Sequence, residues 1–374
     1  MNYKNAWIYT KDFRFELGGF SVKDGKFCHV LEPQEDAVDL EGAYVIPGLI
    51  DVHNHGNSGA DFSDGDYAGD VKMAAYLVSQ GVTSFAPATM TLPYDVISDA
   101  LAAGLRLKKD RPEHTARLLG VQMEGPFFSE KKKGAQNGDY LRLPDYAAFK
   151  ELFDTSEGLI SIVDVAPELE GAVEFVAKAA NDCTVSIAHT DADYEAAKAA
   201  IDAGVTHLTH LYNAMPPIHH RKPGVIGAAS ENEKVRAEII CDGIHVHPSS
   251  VRMAFKLFGA ERICLISDAL RCCGMPDGEY MLGGQQVWLK DCVARLADGT
   301  IAGSATNLYD CMRNAVSFGI PREDAVRAAT WNPACAIHAQ ELVGSIEDGK
   351  LADFVICDRD LVRKAVYIGG TKVE

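Results

Sequence analysis

Two histidines, His53 and His55, stand directly after the apolar run Val45-Ile46-Pro47-Gly48-Leu49-Ile50-Asp51-Val52. A run rich in Val and Ile reads as a buried strand. Alternate side chains of a strand share a face, so imidazoles spaced i, i+2 point the same way. Two neutral imidazoles just past a strand's carboxyl end supply half of a metal site. Alone, such a pair reads more readily as two solvated loop histidines. The rest of the chain supplies further ligands in order. Apolar segments run into Glu124-Gly125-Pro126, Ala188-His189-Thr190-Asp191, His207-Leu208-Thr209-His210 and Ser267-Asp268. Each has a plainer reading: Glu124 as a turn cap, His189 and His210 as satisfied core histidines, Asp268 as a helix cap. His207, two residues short of its strand end, is expected to be a core histidine. A buried, unpaired carboxylate at Glu124 is costly, however. Nitrogen and oxygen ligands at successive strand ends point to a bound metal, with a non-ligating carboxylate as general base toward water.

The elements that must position these residues alternate along the chain. Strands are expected at 45–52, 82–87, 118–123, 160–166, 184–188, 205–209, 236–241 and 262–267. Helical patterns fall at 68–80, 93–107, 145–153, 171–180, 193–203 and 248–258, then near 306–318 and 321–331 after a β-like insertion at 278–302. This alternation predicts an α/β fold, a (β/α)₈ TIM-like barrel, in which chemistry sits at the carboxyl ends of the strands. A doubly wound sheet is the alternative, but no GxGxxG or GxxxxGK[ST] opens a helix. Residues 1–44 and 343–374 read as short strands that cannot bury a core separately. We expect one small β-sandwich domain made from both ends (1–44 and 343–374), with the barrel, 45–342, inserted between.

Composition narrows the function. The 374 residues carry 53 acidic and 36 basic side chains, a net charge of −17. That argues against nucleic-acid or anionic-membrane partners, which need basic surface. It fits a soluble protein of the cell interior, expected to be cytoplasmic, in which any anionic substrate would have to be captured at a local basic site working against the global field. His219-His220-Arg221-Lys222 is such a patch, or else a solvated turn before Pro223-Gly224. The first ten residues lack the apolar core of a signal peptide. No apolar run reaches the ~18 residues of a membrane span. The ten cysteines are scattered without a paired framework and are expected to be buried, reduced thiols.

The motifs in their order resemble the amidohydrolase superfamily and, within it, the deacetylase family that acts on N-acetylglucosamine 6-phosphate. The resemblance spans nearly the whole chain. It rests on Pro47-Gly48-Leu49-Ile50-Asp51-Val52-His53-Asn54-His55-Gly56, Gly81-Val82-Thr83-Ser84, and Glu124-Gly125-Pro126-Phe127 with Lys132-Lys133-Gly134-Ala135. It rests more specifically on His210-Leu211-Tyr212-Asn213-Ala214-Met215-Pro216 and Asp242-Gly243-Ile244-His245-Val246, followed by Gly274-Met275-Pro276-Asp277-Gly278. The resemblance implies that Glu124, His189 and His210 hold the main metal ion. It implies that His53 and His55 support a second, giving one or two divalent ions per subunit. It assigns Asp268 as the catalytic carboxylate. Backbone amides of Asn213 and Ala214, with Arg221 and His245, are implied to hold the sugar phosphate. The arginine is implied to reach in from the partner in a homodimer. Histidine and glutamate ligation suits zinc, with iron, cobalt or manganese as alternatives.

Two departures from the family pattern concern the substrate pocket, where Ala135, Gln136 and Leu308 are expected. Gln136 replaces a common histidine, and an amide can hydrogen-bond but cannot become cationic. Gly303-Ser304-Ala305-Thr306-Asn307-Leu308 differs from the usual segment near the acetyl group. The implied reaction is hydrolysis of N-acetyl-D-glucosamine 6-phosphate to D-glucosamine 6-phosphate and acetate. Rival readings are the galactosamine epimer, a ring-opening amidohydrolase, and a non-catalytic scaffold. The ring-opening enzymes usually carry a carboxylated lysine on the fourth strand, and 160–166 has none. A scaffold should have lost ligands, and every expected ligand is present.

Overall fold

The computed structural model describes residues 1–32 and 35–373, and in it the apolar run ahead of His53 divides between two sheets. Tyr44–Pro47 pairs in parallel with Asn2–Tyr9 and antiparallel with Phe354–Cys357. Leu49–Asp51 then pairs in parallel with Val82–Phe85. The switch falls at Gly48, where a Cβ would sit inside the Thr83 side chain. Only glycine allows that close approach.

Tyr44–Pro47 lies in the middle of an eight-stranded sheet built from both ends of the chain. From Phe354–Cys357 the sheet extends to Arg363–Ile368 and Thr371–Lys372. On its other side lie Asn2–Tyr9, Phe15–Lys23 and Lys26–Cys28, and the short strand Val38–Asp39 pairs in parallel with Asn2–Tyr9. Phe15–Lys23 is a single strand. Gly18-Gly19 lies within its ladder, near a bulge between Tyr3 and Ala6. Buried aromatic rings hold the sheet: Tyr3 stacks on Phe20 at 4.8 Å and Phe354 on Tyr367 at 4.4 Å.

The parallel strands follow in chain order. Leu49–Asp51, Val82–Phe85 and Arg117–Leu118 form one set. Val121–Met123, Ile160–Val165, Thr184–Ile187, His207–Leu208, Arg236–Ile240 and Ile263–Ile266 form the next. The expected strand 118–123 is broken at Leu119-Gly120, and a parallel bridge between Ala88 and Gln122 links the two sets. The sheet curls, so that its last strand reaches back toward its first. The Asp268 N–H donates to the His53 carbonyl at 2.9 Å, and Ser267 Oγ donates to Asp51 Oδ2 at 2.5 Å.

Period-two alternation assigns the faces. On Ile160–Val165, Val163 and Val165 join the large core shared with the helices, while Ile162 joins a separate cluster with Ile50, Ile240 and Ile266. The helices lie close to the expected spans, and polar caps start several of them. Asp66 accepts from the Ala68 and Gly69 amides to open Tyr67–Ser79. Asp145 opens Tyr146–Thr155 and Asp193 opens Tyr194–Ala203. Two helices were not expected: Gly224–Ser230, a run of small residues, and Trp331–Ala336. The β-like insertion is a three-stranded antiparallel sheet, Gly278–Leu282, Gln285–Lys290 and Val293–Arg295. No helix among the described residues is long and apolar enough to cross a membrane.

One helix carries a cost. Asp70 on Tyr67–Ser79 is buried, and neither carboxylate oxygen has a hydrogen-bond partner. Burial, with Asp66, Asp61 and Asp64 nearby, pushes its carboxyl up to about 8. The unfolded carboxyl titrates near about 4. Below that pH both states are protonated and Asp70 is neutral to stability. Between the two values the unfolded state sheds its proton first, so stability falls as pH rises. Asp70→Asn should therefore stabilise the protein by roughly 1–3 kcal/mol at pH 8 and by almost nothing at pH 4. Denaturant unfolding at the two pH values checks this.

Candidate metal centre and substrate pocket

The strand ends bring Glu124 and four histidines into contact. Glu124 Oε1 lies 3.1 Å from His189 Nε2, 3.1 Å from His210 Nε2 and 3.7 Å from His53 Nε2. Its Oε2 lies 3.2 Å from His55 Nε2. The ligand atoms form two groups, His53–His55–Glu124 and Glu124–His189–His210, sharing the carboxylate. All five side chains are buried.

Hydrogen bonding among these groups alone does not account for the arrangement. His189 Nε2 and His210 Nε2 face each other at 3.1 Å while both face the same carboxylate oxygen. Two lone pairs at that distance repel unless a proton or a cation lies between them. His53 Nε2 is buried with no hydrogen-bond partner. His189 Nδ1 lies 2.9 Å from the Lys132 carbonyl, which accepts a proton there and leaves Nε2 as the free lone pair. Inward-facing nitrogen lone pairs around one carboxylate are the donor set of a divalent cation. The charges agree. Burial opposes ionisation of Glu124, but His55, His189, His210 and His53 hold its carboxyl well below the usual range. Burial opposes protonation of His53, but Glu238 and Glu124 push it up to about 10. The pocket is built for positive charge.

Asp268 stands across from the first pair, its Oδ1 3.4 Å from His55 Nε2 and 3.7 Å from His53 Nε2. Burial raises its carboxyl, and His55 and His53 outweigh this, so the group stays ionised. Its backbone is clamped. The N–H donates to the His53 carbonyl at 2.9 Å, and the carbonyl accepts from Ser304 at 2.6 Å. Asp268, His189 and His210 all have left-handed backbones, with φ of 49°, 43° and 31°. Such strain in non-glycine residues collects where surrounding structure imposes a functional geometry.

A cavity of about 220 Å³ opens onto this cluster. Of the expected substrate contacts, Ala135, Gln136, Asn213, Ala214 and His245 line it, together with His55, Glu124, His189, His210 and Asp268. His53 lies behind the wall. His245 Nδ1 is 2.7 Å from Asp242 Oδ2, and Asp242 Oδ1 also accepts the amides of Ile244 and His245. Burial lowers the His245 imidazole, and Asp242, helped by Asp268 and the Gly303 backbone, raises it on balance. The Asn213 N–H closes a turn onto the His210 carbonyl at 2.9 Å. The Ala214 N–H, beside it, donates to no group among the described residues. Arg221 is exposed and lies outside the cavity lining, its Nη1 2.8 Å from His220 Nε2.

Leu308 does not face the cavity. Asn307 caps the helix Leu308–Ser317, and the amphipathic pattern of that helix turns Leu308 into the main core, fully buried. The wall from this stretch is Thr300, Ile301 and Gly303. Sequence reasoning also missed Met90 and Leu270, on two separate loops, and Leu282, at the end of the strand Gly278–Leu282, apolar residues whose convergence no local pattern signals. His207 is a core histidine as expected, fully buried with Nε2 3.0 Å from Glu238 Oε1 and Nδ1 without a hydrogen-bond partner among the described residues.

This fold and site define the class. A model of the amidohydrolase family matches residues 44–373, and the chain belongs to that family. Within it, similar relatives are amino-sugar-phosphate deacetylases. N-acetylglucosamine-6-phosphate deacetylase of Bacillus subtilis is 36% identical over 367 residues, covering 96% of this chain and 93% of the relative. N-acetylgalactosamine-6-phosphate deacetylase of Escherichia coli O157:H7 is 33% identical, with 93% of each covered. Among solved structures, an Asp-to-Ala variant of N-acetyl-D-glucosamine-6-phosphate deacetylase from Mycobacterium smegmatis, in complex with N-acetyl-D-glucosamine-6-phosphate, matches with a TM-score of 0.92. That pair is 33% identical over 100% of this chain and 99% of the other.

Gln136 has a specific task in this geometry. Its Nε2 donates to Glu124 Oε2 at 2.7 Å, and its Oε1 accepts the Thr91 N–H at 2.8 Å. It thus ties the loop after one strand to that after the next, and fixes the rotation of Glu124. Gln136→Leu should leave the Thr91 N–H and one Glu124 oxygen without their partner. The expected loss is about 1–3 kcal/mol of stability, read from denaturant unfolding of metal-loaded protein.

Proposed function

We propose that this protein hydrolyses the acetamide of N-acetyl-D-glucosamine 6-phosphate, releasing acetate and D-glucosamine 6-phosphate. The observation that carries the reading is the shared carboxylate of Glu124 between two histidine pairs, with the clamped Asp268 opposite, at the base of one cavity. Relatives of this length and similarity bear the names of amino-sugar-phosphate deacetylases. The supporting architecture we read as a (β/α)₈ barrel carrying a small β domain made from both chain ends.

Glu124, His189 and His210 hold one divalent ion, and His53 and His55 with Glu124 a second. Zinc suits these ligands best. When bound, such an ion makes water acidic enough to supply hydroxide at neutral pH and polarises the amide carbonyl. Asp268 takes the proton from the attacking water as its oxygen bonds to the carbonyl carbon. It then delivers that proton to the sugar nitrogen as the C–N bond breaks. Both steps need a carboxylate held still, and the backbone hydrogen bonds of Asp268 support that role. His245, made a better cation by Asp242, and the free Ala214 N–H are suited to the sugar phosphate. Asn213 shapes that turn. Arg221 completes the phosphate site from a partner subunit of a homodimer, consistent with its exposure away from its own cavity.

Acetate release from N-acetylglucosamine 6-phosphate and its galactosamine epimer, with metal content measured alongside, tests the reading. The glucosamine substrate should be preferred. The epimer is the second reading, favoured by the similarity to the Escherichia coli galactosamine enzyme. Absence of turnover on both by metal-replete protein overturns the activity. Asp268→Asn should keep metal and substrate binding and lose roughly two to four orders of magnitude in kcat.

Arg221→Ala should raise KM for the phosphorylated sugar by about 10–100-fold, as for a lost charge-assisted contact of ~1.5–3 kcal/mol. Mixing Arg221→Ala subunits with Asp268→Asn subunits should regain activity, because hybrid dimers carry one site with both residues intact. Activity that stays low on mixing means that the arginine serves its own subunit.

A further inference from the structure

Glu238, on the strand Arg236–Ile240, is fully buried and lies outside the cavity lining. It nevertheless touches both candidate metal groups from behind. Its Oε2 lies 2.9 Å from His53 Nδ1 and accepts the His210 backbone N–H at 3.2 Å. Its Oε1 lies 3.0 Å from His207 Nε2. A carboxylate with three donors converging on it is ionised and only accepts. The proton between Glu238 and His53 therefore sits on Nδ1, and when a cation takes the place of a second proton on the inner side, His53 Nε2 offers it a lone pair. That nitrogen is the buried one without a partner, facing Glu124 Oε1 and Asp268 Oδ1 at 3.7 Å each.

His53 is singular in this respect. The outer nitrogen of His189 meets a neutral carbonyl, and those of His55 and His210 have no hydrogen-bond partner. Among the described residues, only His53 of the four has a carboxylate behind it. An imidazole backed by a carboxylate is oriented, locked in one tautomer and made a stronger donor to a cation. His207 holds the other carboxylate oxygen and so resists rotation of Glu238.

We propose that Glu238 is a positioning residue for metal binding: it makes His53–His55–Glu124 a metal site in its own right by fixing the tautomer of His53 and enriching its Nε2. This rests on the metal-dependent reading above and deepens it, since it assigns the second ion to a specific buried support.

The test uses full-length protein loaded with Co²⁺. Stoichiometry is measured by elemental analysis, affinities by chelator competition, and ligand geometry by the visible bands of cobalt. Wild type should hold two ions. In Glu238→Gln the amide presents one acceptor and one unwanted donor to the histidines. One ion should bind about 10–100-fold more weakly, as for loss of such an outer partner. The other should change by no more than a few-fold, and the half of the cobalt spectrum lost should match that lost in His53→Ala. Glu238→Asp, which keeps the charge but withdraws it, should fall between, and it carries the test if Glu238→Gln does not fold. Two ions held with unchanged affinity overturn the proposal and leave the deacetylase reading standing. Equal weakening of both ions also overturns it, since that is what general loosening of the core produces. Wild-type protein that takes up no ion overturns the metal-dependent reading, and the proposal with it.

Discussion

The rest of the structure depends on a charge placed where charge is expensive. Glu124 is 2% exposed, and an isolated carboxylate at such a depth costs several kcal/mol. The fold offsets that cost by bringing four imidazoles to it from three other strand ends. Each imidazole nitrogen that faces Glu124 must then face its neighbours too. Histidines packed 3.1 Å apart across a shared oxygen are tolerable only around positive charge. The strand lengths, the left-handed turns at His189, His210 and Asp268, and the glycine at position 48 all serve that convergence.

Beneath the cluster the sheet interior is not the plain hydrocarbon that buried parallel strands usually present. Gln122 donates to Asp164, Thr209 donates to the same carboxyl at 3.1 Å, and Ser186 meets Thr209 at 2.6 Å. Asp51 accepts from Ser267. Burial pushes Asp164 well above the usual carboxylate range, with Glu124 and Glu238 adding to it. Burial likewise lifts Asp51 to about 7. The inner face thus alternates apolar residues such as Ile162 and Ile240 with hydrogen-bonded polar ones. Hydrogen-bonded polar networks of this kind restrict side-chain rotation, and here one lies directly under residues whose orientation matters, with only the Gln122 Oε1 of these groups left without a partner among the described residues.

Much of this was legible from residue order because it is local. Histidines and carboxylates just past apolar runs announce strand ends, and the 2.0 and 3.6 periods separate strands from helices. What escaped is long-range. Glu238 sits in Arg236-Ala237-Glu238-Ile239-Ile240 as an ordinary alternating residue, and nothing nearby discloses that His53 lies against it. Gln136 reads as a substrate contact, but its amide is engaged by Glu124 and Thr91, both outside its own loop. Leu308 reads as a wall of the pocket because its neighbours are, yet one turn of helix rotates it into the core. The single apolar run 45–52 conceals a change of sheet, because a glycine in a strand signals close approach without naming what approaches.

That change of sheet gives the molecule an order of assembly. Tyr44–Pro47 is held on one side by Asn2–Tyr9, which precedes it in the chain, and on the other by Phe354–Cys357, which follows the whole parallel sheet. The residues leading into His53 therefore keep an open strand edge while the whole parallel sheet is being translated. An open edge is a template for pairing with the wrong chain. The growing polypeptide carries this exposure until Phe354–Cys357 emerges, and a chain cut short before that strand keeps it permanently.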